Sequence, residues 1–225
     1  MRDRPPVLAH RRFVADRAAF AELDLRQRFE RIHTTNLWGA ATTTAGLGSE
    51  TAATAALRIE LPALLQRLGV TTLLDAPCGA AAWIDAGVPT IGIDIVPAVV
   101  AARAAVGGDF RVGDITVDPL PAADAILCRD CLVHLSFENI SRAVTNFRAS
   151  GARYLLTTTF TEWPANHDCD DGDWRALNFM HAPFGWPAPI KLLDERCDEG
   201  AGGWRDKSLG VWRLADIGKF LTSDC

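Results

Sequence analysis

Residues 71–95, TTLLDAPCGAAAWIDAGVPTIGIDI, decide how this chain folds. A first apolar run, TTLLDA (71–76), stops at Asp75 and is broken by Pro77 and Gly79. A second, PTIGIDI (89–95), carries Asp94 about twenty residues further on. Short β-rich runs of this kind read as strands buried in a parallel sheet. A strand that leaves such a core on a carboxylate, a fixed φ and a glycine ends where a ligand can approach the backbone.

The same alternation continues outward. A helical PAVVAARAAV (97–106) precedes FRVGD (110–114) and AILCRD (125–130). A helical ENISRAVTNFRA (138–149) then leads to RYLLTTTF (153–160). Repeated strand–helix units predict an α/β fold, doubly wound, with a mostly parallel Rossmann-like sheet. Before it, the spacing of Phe20, Leu23, Leu25, Phe29 and Ile32 predicts one helix over 15–33. The polar loop 34–50 follows, with Ser49 expected to cap a helix that runs to residue 68 before Gly69. After residue 160 the rhythm breaks into a long Trp-, Asp- and Pro-containing loop. PIKLLDE (189–195) and KSLGVWRL (207–214) then predict a closing antiparallel hairpin. The expected organisation is one domain over 1–225: an N-terminal helical cap and loop (1–69), a core (70–160), a substrate loop (161–188), and a hairpin with tail (189–225).

The chain has 225 residues, 28 acidic against 23 basic, and a net charge of −5. That balance disfavours nucleic acid and anionic membranes as partners and suits a small neutral or cationic molecule. No apolar run approaches the roughly 18 residues of a membrane span, and the N-terminus lacks the apolar core of a signal peptide. A cytoplasmic location with reduced thiols is expected. Cys128 and Cys131 form a CxxC, but no second pair at zinc spacing accompanies it, so no metal is expected.

Acids recur at the strand ends: Asp75, Asp94, Asp114 and Asp130. In an open parallel sheet ligands bind beyond the carboxyl ends of the strands, so all four are expected on the binding edge. The interval from the first glycine turn to Asp94 is that of an acid accepting from ribose hydroxyls. The turn after Asp75 is not GxGxxG, however, which argues against a dinucleotide and an NAD-dependent oxidoreductase.

LLDAPCG, IGIDI, RVGDIT and AILCRDCLVHLS together resemble the motifs of class I S-adenosylmethionine (SAM)-dependent methyltransferases, over about residues 57–160. With the NLWG loop, they resemble a group of small bacterial stand-alone enzymes of that class. The resemblance implies SAM as cofactor, with Asp75, Ala76, Pro77 and Gly79 near its methionine end. Asp94 and Ile95 fall at its ribose, and Asp114 and Ile115 at its adenine. Arg129, or a helix start at Gly48-Ser49, would face its carboxylate. A ligand with an ammonium and a sulfonium but no phosphate suits carboxylates at strand ends. The chain departs from the pattern in keeping one glycine in the first turn and alanines at 80–82.

The fourth strand leads to the candidate catalytic residues, His134 as general base and Asp130 as base or orienting group. Trp83 reads as core or as a cofactor wall. Trp38, Asn36, Asp171, Asp173, Trp174 and Asn178 are the candidate acceptor-binding residues. The acidic run Asp168, Asp170, Asp171 and Asp173 reads either as a solvated loop or as a lid for an amine, flanked by Trp163, Trp174 and Trp186. The expected reaction is methyl transfer to oxygen or nitrogen of a small molecule such as a sugar, aminosugar or natural-product intermediate. Protein or RNA methylation and a catalytically inactive SAM-binding protein are the alternatives.

Overall fold

The computed structural model describes residues 4–80 and 84–218; Ala81, Ala82, Trp83 and Cys225 lie outside them. The elements run α1 (Leu8–Asp16), α2 (Leu25–Thr35), α3 (Ala55–Arg67), β1 (Leu73–Asp75), β2 (Thr90–Asp94) and α4 (Pro97–Ala105). They continue β3 (Asp109–Val112), β4 (Ala125–Cys128), α5 (Phe137–Ala149), β5 (Tyr154–Phe160), β6 (Lys191–Asp194) and β7 (Lys207–Arg213).

The seven strands form one sheet of order β3-β2-β1-β4-β5-β7-β6. The first five are parallel, and β7 runs antiparallel between β5 and β6. The expected hairpin therefore exists, and its second strand is the one that joins the sheet. The chain reverses its direction of progress between β1 and β4, which opens a crevice at the carboxyl ends of those two strands.

Side-chain alternation along the central strands sorts the core into two layers. Leu74, Ile126, Cys128 and Leu155 pack with Ile140, Ala143, Val144 and Phe147 of α5. Leu73, Ala125, Leu127 and Leu156 pack with Leu57, Leu61, Leu64 and Leu65 of α3. β1 and β4 are buried along their whole length, which explains their unbroken apolar sequence.

Two predicted helices differ from the observed ones. The stretch 15–33 is divided: α1 ends at Asp16 and a short 3₁₀ turn follows. A fresh helix then starts at Asp24, whose carboxylate accepts the Gln27 amide while the Gln27 side chain accepts the Asp24 amide. That reciprocal cap outweighs the continuity of the apolar spacing. Ser49 likewise closes a three-residue 3₁₀ turn and gives its hydroxyl to the Ala45 carbonyl, so α3 starts after Thr54. The β3–β4 connection has no helix; Asp118 accepts the Asp114 amide and Asp114 accepts from Thr116 in a tight turn. No helix among the described residues is long and apolar enough to cross a membrane.

Phe147 is fully buried between α5 and the sheet, whereas Ile59 on α3 is 79 % exposed. Phe147→Ala is expected to lower unfolding free energy by about 3 to 5 kcal/mol, and Ile59→Ala by no more than about 0.5 kcal/mol. Urea denaturation followed by far-ultraviolet circular dichroism measures both.

Candidate active site

A cleft opens over the carboxyl ends of β1, β2 and β4 and is roofed by α2 and the 38–49 loop. The residue after each strand sets its floor. Asp75, Pro77 and Gly79 come from the β1 turn, Asp94 and Ile95 from β2, Asp114 and Ile115 from beyond β3, and Arg129 and Asp130 from beyond β4. Of the nine residues that the resemblance assigns to SAM, eight line the cleft, as do the two catalytic candidates; Ala76 is the one outside the wall. Ala76 is fully buried and spends its amide on the Leu127 carbonyl.

The two innermost carboxylates differ in their partners. Asp94 Oδ2 accepts the Gly79 amide at 3.0 Å and Oδ1 accepts the Val96 amide at 2.9 Å. Burial still pushes its carboxyl up to about 6 against the pull of those amides. Among the described residues no hydrogen bond reaches the carboxylate oxygens of Asp75. Burial pushes this group to about 8, with Arg103 pulling the other way and Asp94 adding to the rise. Asp75 is therefore a desolvated acid in a cleft wall, suited to a cation that would restore its charge. Gly79, at φ +59°, leaves the β1 turn only 3.4 Å from the Ala45 methyl when a Cβ is added, so the opposing loop lies directly over it.

A second, smaller cavity adjoins the first and shares Trp38, Ala45, Asp130 and His134 with it. Its remaining polar wall is Lys207 and Glu199, and its apolar wall is dominated by Phe160, Trp174 and Trp204. Asp130 sits at φ +50°, with Oδ2 accepting from Lys207 Nζ at 2.6 Å and Oδ1 accepting from the Thr158 hydroxyl at 3.2 Å. Arg129 lies 3.3 Å from Asp130 and donates from Nη2 to Glu195 at 2.6 Å; Lys207 is also 3.4 Å from Glu195. Burial works against the Asp130 charge, but Arg129 and Lys207 outweigh it and hold the carboxyl well below the ordinary range.

His134 donates from Nδ1 to the Asp173 carbonyl at 2.7 Å, a partner that can only accept. Its Nε2 is therefore the unprotonated nitrogen in the neutral ring. Burial lowers the imidazole to about 4, and its face stacks on Trp38 at 4.2 Å with 25° between the planes.

Several candidates from the sequence serve the scaffold instead. Asn36 closes α2 in the left-handed conformation and donates to the Ala40 carbonyl. Asp171 accepts from the Ser136 amide and Asn139 side chain at the start of α5, where Asp168 accepts the Phe137 amide. Asn178 is fully buried, donating to the Thr161 carbonyl and accepting the Met180 amide. None of the three lines either cavity. Asp173 reaches the site only through its backbone, since its carboxylate accepts from His10 and from the Trp174 amide. The acidic loop is thus bonded to its own helix and to the cap, with Asp170 paired to Arg17, and is not a free lid. Trp186 stacks on Phe179 at 4.3 Å in the core, and Trp163 lies outside both cavities; Trp38 and Trp174 do line them.

Lys207, Glu195, Glu199 and Trp204 were not singled out from the sequence. Lys207 opens an apolar strand and Glu195 follows one, at positions that read as surface charges until β7 is inserted beside β5. The Gly48-Ser49 turn faces the cleft, but not as a helix start; a Cβ at Gly48 would lie 2.4 Å from Asp130 Oδ2. Among the described residues no group of three or more His, Cys, Asp or Glu side chains is arranged to hold a metal.

Neither a protein-family sequence model nor a curated protein sequence matches the chain. Solved structures do. The Burkholderia thailandensis 1,6-didemethyltoxoflavin-N1-methyltransferase, with its substrate and S-adenosylhomocysteine bound, superposes at a TM-score of 0.57. It shares 17% identity over 94% of this chain and 93% of its own. Human N-acetylserotonin methyltransferase with SAM gives 0.52, at 13% identity over 90% of this chain and 61% of the human one. The sheet order, the antiparallel β7 and these superpositions agree: the chain has the fold of the class I SAM-dependent methyltransferases.

Proposed function

We infer that the chain is a SAM-dependent methyltransferase that acts on an oxygen or nitrogen of a small molecule. The observation that carries this reading is the convergence of Asp75, Asp94 and Asp114, from three successive strand ends, on one cleft that opens into an aromatic chamber. The cofactors bound in the similar Burkholderia and human enzymes support the choice of ligand.

The residues fit such a cofactor. Asp75 offers a buried carboxyl with no hydrogen bond among the described residues, which matches an ammonium group. Asp94 has one lone pair left on each oxygen after binding two amides, enough for two ribose hydroxyls. Ile95, Val99 and Ile115 supply apolar surface for adenine beside Asp114. Held there, SAM would supply an electrophilic methyl group on a sulfonium that can leave as a neutral thioether.

The protein's own part is alignment, exclusion of water and proton handling. α2 and the 38–49 loop cover the cleft, with Thr44 and His33 joined at 2.7 Å across the roof. Asp130, kept ionised by Lys207 and Arg129, is an acceptor for a substrate N–H or O–H and a poor proton abstractor. His134, neutral with Nε2 unprotonated, is the group that can take a proton.

Asp94→Ala should weaken SAM and S-adenosylhomocysteine binding at least tenfold by calorimetry, with circular dichroism unchanged; full affinity in the variant would remove the assignment. Asp75 adds a pH signature. Its carboxyl is ordinarily near 3.8 and sits near 8 in the folded chain. The folded state therefore keeps a proton that the unfolded chain has lost between those values, and stability falls as pH rises toward 8. His134, lowered from 6.5 to about 4, contributes the opposite trend, but only below 6.5. Between pH 6.5 and 8 the ligand-free protein should lose about 1 to 2 kcal/mol. Urea titrations across that range should show the loss in the native protein and not in Asp75→Asn.

A further inference from the structure

We propose that the chamber beside the cleft seats the methyl acceptor and takes a flat aromatic or heteroaromatic ring carrying a hydrogen-bond-donating O–H or N–H, rather than a sugar. The proposal rests on the transferase reading above and adds the class of acceptor to it.

The walls point to a ring. Phe160, Trp174 and Trp204 meet edge to face, with centroids 4.9 to 5.8 Å apart and interplanar angles of 80 to 86°. Trp38 closes the side shared with the cleft. The ionisable side chains of the lining are few, Asp130, His134, Lys207 and Glu199 with the Cys197 thiol, and the rest is aromatic, aliphatic or glycine backbone. A sugar carries hydroxyls around its whole perimeter, and each one buried against these aromatics without a partner costs about 1 to 3 kcal/mol. A flat ring with a single polar substituent matches a lining rich in aromatic surface and poor in polar side chains.

Charge narrows the class further. Both cations near the chamber are bonded to carboxylates, Lys207 to Asp130 and Arg129 to Glu195, and Glu199 adds another acid. A carboxylate or phosphate on the acceptor would find both cations already paired. The ionised Asp130 instead asks for a donor. Its access depends on Gly48, since a Cβ there would come within 2.4 Å of Asp130 Oδ2 and 3.1 Å of Lys207 Nζ.

Proton transfer agrees with this reading. His134 Nε2 is free to accept, but burial makes the imidazole a weak base. It takes a proton readily only from a group that is itself acidic, such as a phenol, an enol or a heteroaromatic N–H, and not from an aliphatic hydroxyl.

The test uses the full chain saturated with S-adenosylhomocysteine and titrated by calorimetry with 4-hydroxyquinoline, 6-hydroxyquinoline and 5-hydroxyindole. Decahydroquinolin-4-ol and glucosamine are the non-planar controls. At least one flat probe should bind tenfold or more tightly than either control. Trp174→Ala should weaken that binding at least fivefold, Trp174→Phe should restore most of it, and Gly48→Ala should weaken it by blocking Asp130. Both Trp174 variants should keep the native affinity for S-adenosylhomocysteine, and circular dichroism at the titration temperature should show all three variants folded. Failure of S-adenosylhomocysteine to bind the native chain would overturn the transferase reading itself. If it binds, but no flat probe exceeds the controls, or Trp174→Ala and Gly48→Ala bind the probe as the native chain does, the aromatic acceptor is overturned and the transferase reading stands.

Discussion

The Asp94 carboxylate accepts the Gly79 amide with one oxygen and the Val96 amide with the other. These two bonds fasten the turn that leaves β1 to the turn that leaves β2, so the floor of the cleft is set by a single side chain. The central strands are buried on both faces, and the chain's polar groups can meet a ligand only where those strands end. Desolvation then acts on the acids left there: it raises Asp94 to about 6 and Asp75 to about 8. The site is electrostatically incomplete in a particular sense, holding carboxyl groups that a cation would return to their charged state.

A second constraint shapes the neighbouring chamber. Arg129, Asp130, Glu195 and Lys207 come from the ends of β4 and β6 and the start of β7, and they pair within 2.6 to 3.4 Å. Buried ion pairs contribute little net stability once desolvation is counted. Their effect here is positional. Asp130 is held ionised and in a left-handed backbone conformation, with its oxygens directed at Lys207 and Thr158. His134 is fixed independently, by the Asp173 carbonyl and the face of Trp38. Two groups with opposite proton behaviour thus stand side by side, one held charged and one held neutral.

The N-terminal cap depends on the acidic loop in turn. His10 pairs with Asp173, Arg17 with Asp170, and Arg28 donates to the Asp171 carbonyl. The roof over both cavities is therefore fastened to the segment that orients His134. The charges of this loop, which could have solvated a mobile lid, are spent on the helix start of α5 and on the cap.

The sheet, its parallel sense and the edge that carries the cleft were legible in the sequence because they depend on local patterns: apolar runs of strand length, separated by helices and each ending on an acid. Asp75, Asp94, Asp114 and Asp130 needed only that periodicity to be placed on one edge. That Asn36, Asp171 and Asn178 lie outside both cavities is not legible in the sequence, because a polar residue in a loop looks the same whether it faces a ligand or satisfies a backbone group. The partner that distinguishes the two is remote in sequence, as with Asp171 and Ser136. Lys207, Glu195 and Trp204 were decided only by the tertiary structure. Inserting β7 antiparallel beside β5 carries charges and a tryptophan from the last fifth of the chain to the fourth strand's end, and long-range strand pairing leaves no mark in local spacing.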